Sequence, residues 1–282
     1  MVGKKFNRIR WIGGSDASKF TRSFNGLTFR KWWLQKLTGI RTSYNLENTK
    51  VGQYIKAGNY FEPLILDAVG VTRSDHDFSY REPNGFIGIN TDATKLPRFA
   101  KNFRTPNPTP IKKGVIHEAK TVNMKEMVKR NFANKGNGEI KSVYRHQAKH
   151  GLVVIPHIKE VQVHVLFLKD EEYKDWSLVT PEIIEERVTT WTYDRGYFGE
   201  AVLQEHRRKL DYLLECYERQ VIPSDEEFLG WVGGGASEIF GRTRLPRKMK
   251  KRFLSQFKPV DRSLAFAMWK LGLEGLLKFE NK

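Results

Sequence analysis

The run Val115-Ile116-His117-Glu118-Ala119-Lys120 closes an apolar stretch with an acid and a lysine two residues apart. In a strand, residues two apart share a face, so Glu118 and Lys120 would project together from its end. A carboxylate there gives hard oxygen to Mg²⁺ or Mn²⁺, the Ala119 carbonyl can add a ligand, and Lys120 can position or deprotonate a water. Those are the parts needed to hydrolyse a phosphodiester. By itself an acid-x-lysine pair is common on exposed strands. Two further acids stand at the ends of expected elements. Asp92 follows Phe86-Ile87-Gly88-Ile89-Asn90-Thr91, where a hairpin to the Glu118 strand would bring both carboxylates to one metal; otherwise it is an ordinary turn aspartate. Glu62, in Gly58-Asn59-Tyr60-Phe61-Glu62-Pro63, lies on an expected helix that can pack on the same sheet, or it pairs with a surface lysine. Three acids and a lysine together favour a metal site.

The elements that must hold these residues follow from periodicity. Phe29, Trp32, Trp33 and Leu37 recur at helical spacing over 28–38, with the tryptophan pair read as core. Phe61, Leu64, Ile65, Ala68 and Val69 predict a helix over 54–69, stopped by Gly70 and tolerating Pro63 only if it begins shortly before it. Strands are expected at 86–89, 114–121, 152–155 and 161–168, separated in one place by a loop with Pro97, Pro106, Pro108 and Pro110. A long amphipathic helix is expected over 200–217. The fold class expected is α/β, with helices before and after a cluster of strands.

Composition narrows the partner. The chain has 282 residues, with 49 Lys+Arg against 32 Asp+Glu and a formal charge of +17. Such a charge favours polyanions, nucleic acid ahead of an anionic membrane surface. At 39% hydrophobic residues the chain can bury a core. Its single cysteine, Cys216, excludes an intramolecular disulfide, a thiolate zinc knuckle and an iron–sulfur cluster. No apolar run approaches the ~18 residues of a membrane span, and a cytoplasmic location is expected. The expected domains are a core over 1–222 and a basic C-terminal extension over 223–282. Within it, from Gly241 to Arg262, Arg242, Arg244, Arg247, Lys248, Lys250, Lys251, Arg252, Lys258 and Arg262 stand against only Asp261, as suits a DNA-contacting arm, with a solvated helix the alternative. Asp75-His76-Asp77 lies in a polar turn without supporting metal ligands and reads as a solvated loop.

Taken in order, these motifs resemble the PD-(D/E)XK nucleases, and among them the viral recombination exonucleases similar to lambda exonuclease and YqaJ. Ile12-Gly13-Gly14-Ser15-Asp16-Ala17 looks like the opening turn, Gly58–Pro63 like the helix carrying the first acid, Asp92 stands at the Pro-Asp position, and Glu118-Ala119-Lys120 at the (D/E)XK position. Ile155-Pro156-His157-Ile158-Lys159-Glu160-Val161-Gln162 resembles the following Tyr-x-x-Gln-Val-Gln segment, with Gln162 the clear match. Thr91 replaces the usual proline before Asp92, and the loop between Asp92 and Glu118 is longer than usual.

The resemblance implies that Glu62, Asp92, Glu118 and the Ala119 carbonyl bind one or two Mg²⁺, with Mn²⁺ an alternative, and that Lys120 acts on the water. It implies a terminal 5′-phosphate held by Arg8 and Ser15, with Arg10 a competitor for the arginine role. The fold implied is a restriction-endonuclease-like α/β core with a central mixed β-sheet flanked by helices, and the activity implied is digestion of one strand of linear double-stranded DNA from a 5′ end, for phage-type recombination or DNA metabolism. A single-strand annealing protein is an implied partner, and a homo-oligomer, trimeric in such relatives, an implied assembly. An endonuclease on the same core and a non-catalytic DNA-binding accessory are the alternatives.

Overall fold

The computed structural model describes residues 11–21, 23–25, 27–38, 49–96, 98–99, 110–112, 114–125 and 140–232. Their elements in chain order are α1 (Ala17–Phe20), α2 (Leu27–Thr38), α3 (Lys50–Ala68), β1 (Ser79–Arg81), β2 (Gly88–Asn90), β3 (Ala93–Lys95), β4 (Arg98–Phe99), β5 (Pro110–Lys112), β6 (Gly114–Asn123), α4 (Ser142–Val154), β7 (Ile158–Leu168), α5 (Pro181–Arg187), β8 (Val188–Asp194), α6 (Arg195–Phe198), α7 (Glu200–Glu218) and α8 (Asp225–Val232). They fall into two compact units. Among the described residues the first comprises 13–17 and those from 49 to 204, the second 11–12, those from 18 to 38 and 205–232.

The first unit is built on a four-stranded sheet of order β3-β6-β7-β8. β6 and β7 run parallel, and β3 and β8 pair antiparallel on either side, so the sheet is mixed. This is the expected α/β class. Helix α3 lays Ala57, Phe61 and Ile65, four residues apart, on the face that carries Ala93, Ala119, Leu166 and Leu168. Full burial of Phe61 alone contributes about 1.5–3 kcal/mol. Helix α4 covers the opposite face. Gly151 comes so near the sheet that an added Cβ would lie 2.7 Å from Ile116 Cδ1 and 3.5 Å from Val161 Cγ2.

Several sequence expectations are corrected. Helix α3 begins at Lys50, where the Thr49 hydroxyl accepts the Gly52 N–H, so Pro63 lies well inside it. The proline is tolerated because it and Asn59, whose carbonyl it deprives of a partner, both face solvent. The helix ends as expected at Gly70, whose φ of +74° allows Gly70 N–H to reach Asp67 O and Val71 N–H to reach Leu66 O. Residues 152–155, read as a strand, close helix α4: Ala148, Gly151, Leu152 and Val154 are buried at helical spacing, and that burial outweighs β-branched preference. The proline-rich stretch is also less irregular than expected, since it holds β3, β4 and β5; residues 100–109 lie outside the described residues.

In the second unit the Trp32–Trp33 pair is core, as expected. Trp33 is fully buried, its ring lies 6.0 Å from Phe29, and its Nε1 donates to Val221 O at 2.9 Å. Phe24, Tyr212 and Phe228 form an aromatic cluster with centroids 5.4–5.6 Å apart. Phe228 belongs to α8, within the expected extension; the basic stretch Arg242–Arg262 lies outside the described residues. Among the described residues no helix is long and apolar enough to cross a membrane.

Candidate active site

Strand β3 pairs with β6 only from Ala93–His117 to Lys95–Val115, so the edge of β6 is open from Glu118 onward. Asp92, the residue just before β3, fills that gap. Its Oδ2 accepts the Ala119 N–H at 2.8 Å and the Lys120 ammonium at 2.8 Å. Lys120 Nζ donates also to Glu118 Oε2 at 2.7 Å and to the Ala119 carbonyl at 3.0 Å. The sequence expectation that Asp92, Glu118 and Lys120 meet is met in geometry, by a different route. The strand before Asp92, β2, pairs with β1, and it is the strand after it that joins β6. The chain changes sheets at Thr91–Asp92, and the aspartate sits at the crossing.

The Glu118 side chain is 1% exposed, whereas those of Asp92 and Lys120 are each 19% exposed, so Glu118 is the floor of a site open on one side. Burial pushes the Glu118 carboxyl well above the usual carboxylate range; Lys120 pulls it back down, while Asp92 and then Glu62 add to the rise. Burial works against the Lys120 ammonium, but Asp92 and Glu118 outweigh it and hold that group above its ordinary value. Glu62 on α3 is half-buried and enters the site through its charge.

One ammonium thus faces two bonded carboxylates and the field of a third. Glu118 Oε1 is buried and has no hydrogen-bond partner. Asp92, Glu118 and the Ala119 carbonyl offer only oxygen, the donor set suited to a hard divalent cation, and the local charge deficit fits one. Among the described residues no three His, Cys, Asp or Glu side chains converge into a ready cage. The fit therefore rests on two carboxylates, a backbone carbonyl and an unpartnered buried oxygen.

Gln147 completes the site, and sequence reasoning missed it. From α4 its Nε2 donates to Glu118 Oε2, the oxygen that Lys120 also contacts. The available signal was Tyr144-Arg145-His146-Gln147, a Tyr-x-x-Gln spacing one element earlier than the segment ending at Gln162. Gln162 is not brought to the cluster. It pairs with His117 across β6 and β7, and the alternation of strand residues puts it on the face away from Glu118, where it donates to Glu160 Oε1 at 2.7 Å. On that face His117 Nδ1 and His164 Nε2 are 3.1 Å apart, and His164 Nδ1 is 2.8 Å from Thr190 Oγ1. Burial lowers His164 to about 4, so no positive charge accumulates there at neutral pH.

The Gly13–Asp16 turn seats on the same helix. A Cβ at Gly14 would lie 3.1 Å from Gln147 Cγ and 3.3 Å from Ile89 Cδ1, so a side chain there would press on the glutamine. Asp16 ties the turn by accepting the Gly13 N–H at 3.1 Å, while Ser15 is exposed. Arg8 and Arg10 lie outside the described residues.

Fold and site together define a mixed α/β core with an acid–lysine cluster at an open strand edge. The chain is similar in structure to an alkaline exonuclease from Laribacter hongkongensis, at 11% identity over 82% of this chain and 96% of that one, with a TM-score of 0.48. It is also similar to a phage-related exonuclease from Haemophilus somnus 129PT, at 14% identity over 74% of this chain and 94% of that one, with a TM-score of 0.46. No family model matches the sequence, and no curated protein does.

Proposed function

We propose that this protein is a divalent-metal-dependent deoxyribonuclease that hydrolyses one strand of linear duplex DNA from a 5′ end. The observation that carries the reading is the convergence of Asp92, Glu118 and Lys120 at the open edge of β6, with a buried oxygen of Glu118 unpartnered. Exonuclease action, 5′ polarity and Mg²⁺ as the ion come from the motif resemblance, and the +17 charge supports DNA as the partner.

Asp92, Glu118 and the Ala119 carbonyl would hold the ion, with Glu62 adding negative charge. Bound there, a divalent ion supplies a Lewis acid that lowers the pKa of water and offsets charge on the scissile phosphate. Lys120, fixed by both carboxylates, orients the attacking water and faces the phosphate with positive charge. Gln147 keeps Glu118 from rotating away. Ser15, on the turn packed against Gln147, is suited to contact a terminal phosphate, and the motif resemblance gives the cationic role in that contact to Arg8 or Arg10.

The test is incubation of end-labelled linear duplex, nicked circle and closed circle with Mg²⁺. Loss of the linear form alone, from its 5′-labelled end, is expected. Cutting of the closed circle would replace the exonuclease reading with an endonuclease on the same core. Absence of cleavage with Mg²⁺ and Mn²⁺ would leave a DNA-binding accessory.

A further inference from the structure

The Asp75-His76-Asp77 turn lies outside the acid–lysine cluster, yet it closes on the backbone that presents Asp92. His76 forms an isolated antiparallel bridge with Ala93. Asp77 N–H donates to Asp92 O at 2.9 Å, and Thr91 N–H donates to Phe78 O at 2.9 Å. Within the gripped segment, Thr91 and Thr94 join their hydroxyls at 2.6 Å, both buried. The residues before, at and after Asp92 are therefore each tied to one of three consecutive residues, His76, Asp77 and Phe78. At the centre of that clasp Asp77 has φ +54°, in the left-handed region that Gly, Asn and Asp enter most readily and β-branched residues hardly at all.

We propose that Asp77 is a positioning residue for Asp92. Its left-handed backbone lets the 76–78 segment bridge Ala93 and, one residue later, hand its own N–H to the Asp92 carbonyl. That grip sets where the Asp92 carboxylate meets Ala119 N–H and Lys120. The role belongs to the backbone conformation, so it predicts which substitutions are tolerated: glycine keeps the geometry, valine and alanine oppose it. The consequence for cleavage rests on the proposed nuclease reading; the geometric claim does not.

The Ala119 amide reports the clasp directly, because Asp92 Oδ2 is its acceptor. Hydrogen exchange of that amide, followed by NMR in the full chain, is compared among wild type, Asp77→Gly, Asp77→Ala and Asp77→Val. Exchange is expected to accelerate at least tenfold in Asp77→Val and by less than twofold in Asp77→Gly, while amides in the β7 interior keep their protection. If Asp77→Val fails to fold, Asp77→Ala serves the same comparison. Unchanged Ala119 exchange in the folded valine or alanine variant overturns the proposal. Equal acceleration in the glycine variant overturns it too, since the effect would then follow removal of the carboxylate. If the wild type cleaves DNA, the Mg²⁺ concentration for half-maximal rate should rise in Asp77→Val and stay near wild type in Asp77→Gly. Failure of the wild type to cleave would remove the nuclease reading and leave the amide comparison standing.

Discussion

Asp92 and Lys120 lie 28 residues apart and meet at 2.8 Å, and the same Asp92 oxygen accepts the Ala119 amide at 2.8 Å. The aspartate thereby replaces a strand partner. Just before β3 begins, its side chain takes the backbone donor that a longer strand would have paired, and it holds the lysine beside the Glu118 carboxylate. An amide left unpaired at a partly buried strand edge costs about 1–3 kcal/mol, so this hydrogen bond serves folding and charge placement together.

Asp92→Asn and Glu118→Gln should each lower DNA cleavage by about a hundredfold or more with little change in DNA binding, because these carboxylates act on the reacting centre. Rates at saturating DNA and binding by anisotropy distinguish the two effects. Near-normal cleavage by Glu118→Gln would remove the proposed site.

Glu118 also predicts a pH dependence of stability. Its carboxyl is raised in the folded protein from an ordinary value of 4.5, so the folded state binds the proton more tightly than the unfolded state. The stabilisation from that proton is full below 4.5 and is lost as the pH rises through the raised value. Without divalent ions, the melting temperature should fall over that rise in wild type, and Glu118→Gln should flatten the decline. Added Mg²⁺ should restore wild type at the upper end and leave the variant unmoved.

Lys120 touches the oxygens proposed to hold the metal, and it therefore competes with the ion for them. Lys120→Met should bind Ca²⁺ or Mg²⁺ more tightly than wild type, by about tenfold for a difference of about 1.4 kcal/mol, while losing cleavage. Calorimetric titration reads the affinity apart from activity. Equal or weaker binding would mean that the ammonium and the ion do not share donors.

Gln147→Ala should reduce cleavage by about tenfold and lower the melting temperature by a few degrees, since it removes one hydrogen bond to a charged group, worth about 1.5–3 kcal/mol when the acceptor is ionised. Gly14→Ala should act in the same direction by pressing on Gln147 Cγ. In the double variant the two effects should not add, because both act through one side chain. Additive effects would separate the turn from the glutamine.

Deleting the residues from Gly233 onward should weaken DNA binding without sequence preference and flatten the slope of log K against log salt, by about 0.9 for each phosphate that the shortened chain no longer neutralises. Binding at several salt concentrations checks this. An unchanged slope with a lowered melting temperature would assign the basic stretch to packing instead.

Much of the core was legible in the chain because its cause is local. The spacing of Phe61 and Ile65 makes an amphipathic helix, the apolar run through Ile116 makes a strand, and alternation places Glu118 and Lys120 on one side of it whatever that strand packs against. Tertiary structure decided what depends on partners. Residues 152–155 carry strand-forming side chains, but burial of Gly151 and Leu152 against the sheet keeps them in a helix. Gln162 has the right residue type and the wrong parity, since register with His117 turns it to the far face, whereas Gln147 reaches Glu118 because α4 packs over the near one. Asp92 was visible as an acid near a strand end. That it completes the edge of β6, gripped from behind by Asp77, follows from strand pairing and a left-handed turn, and neither is written in the residues around it.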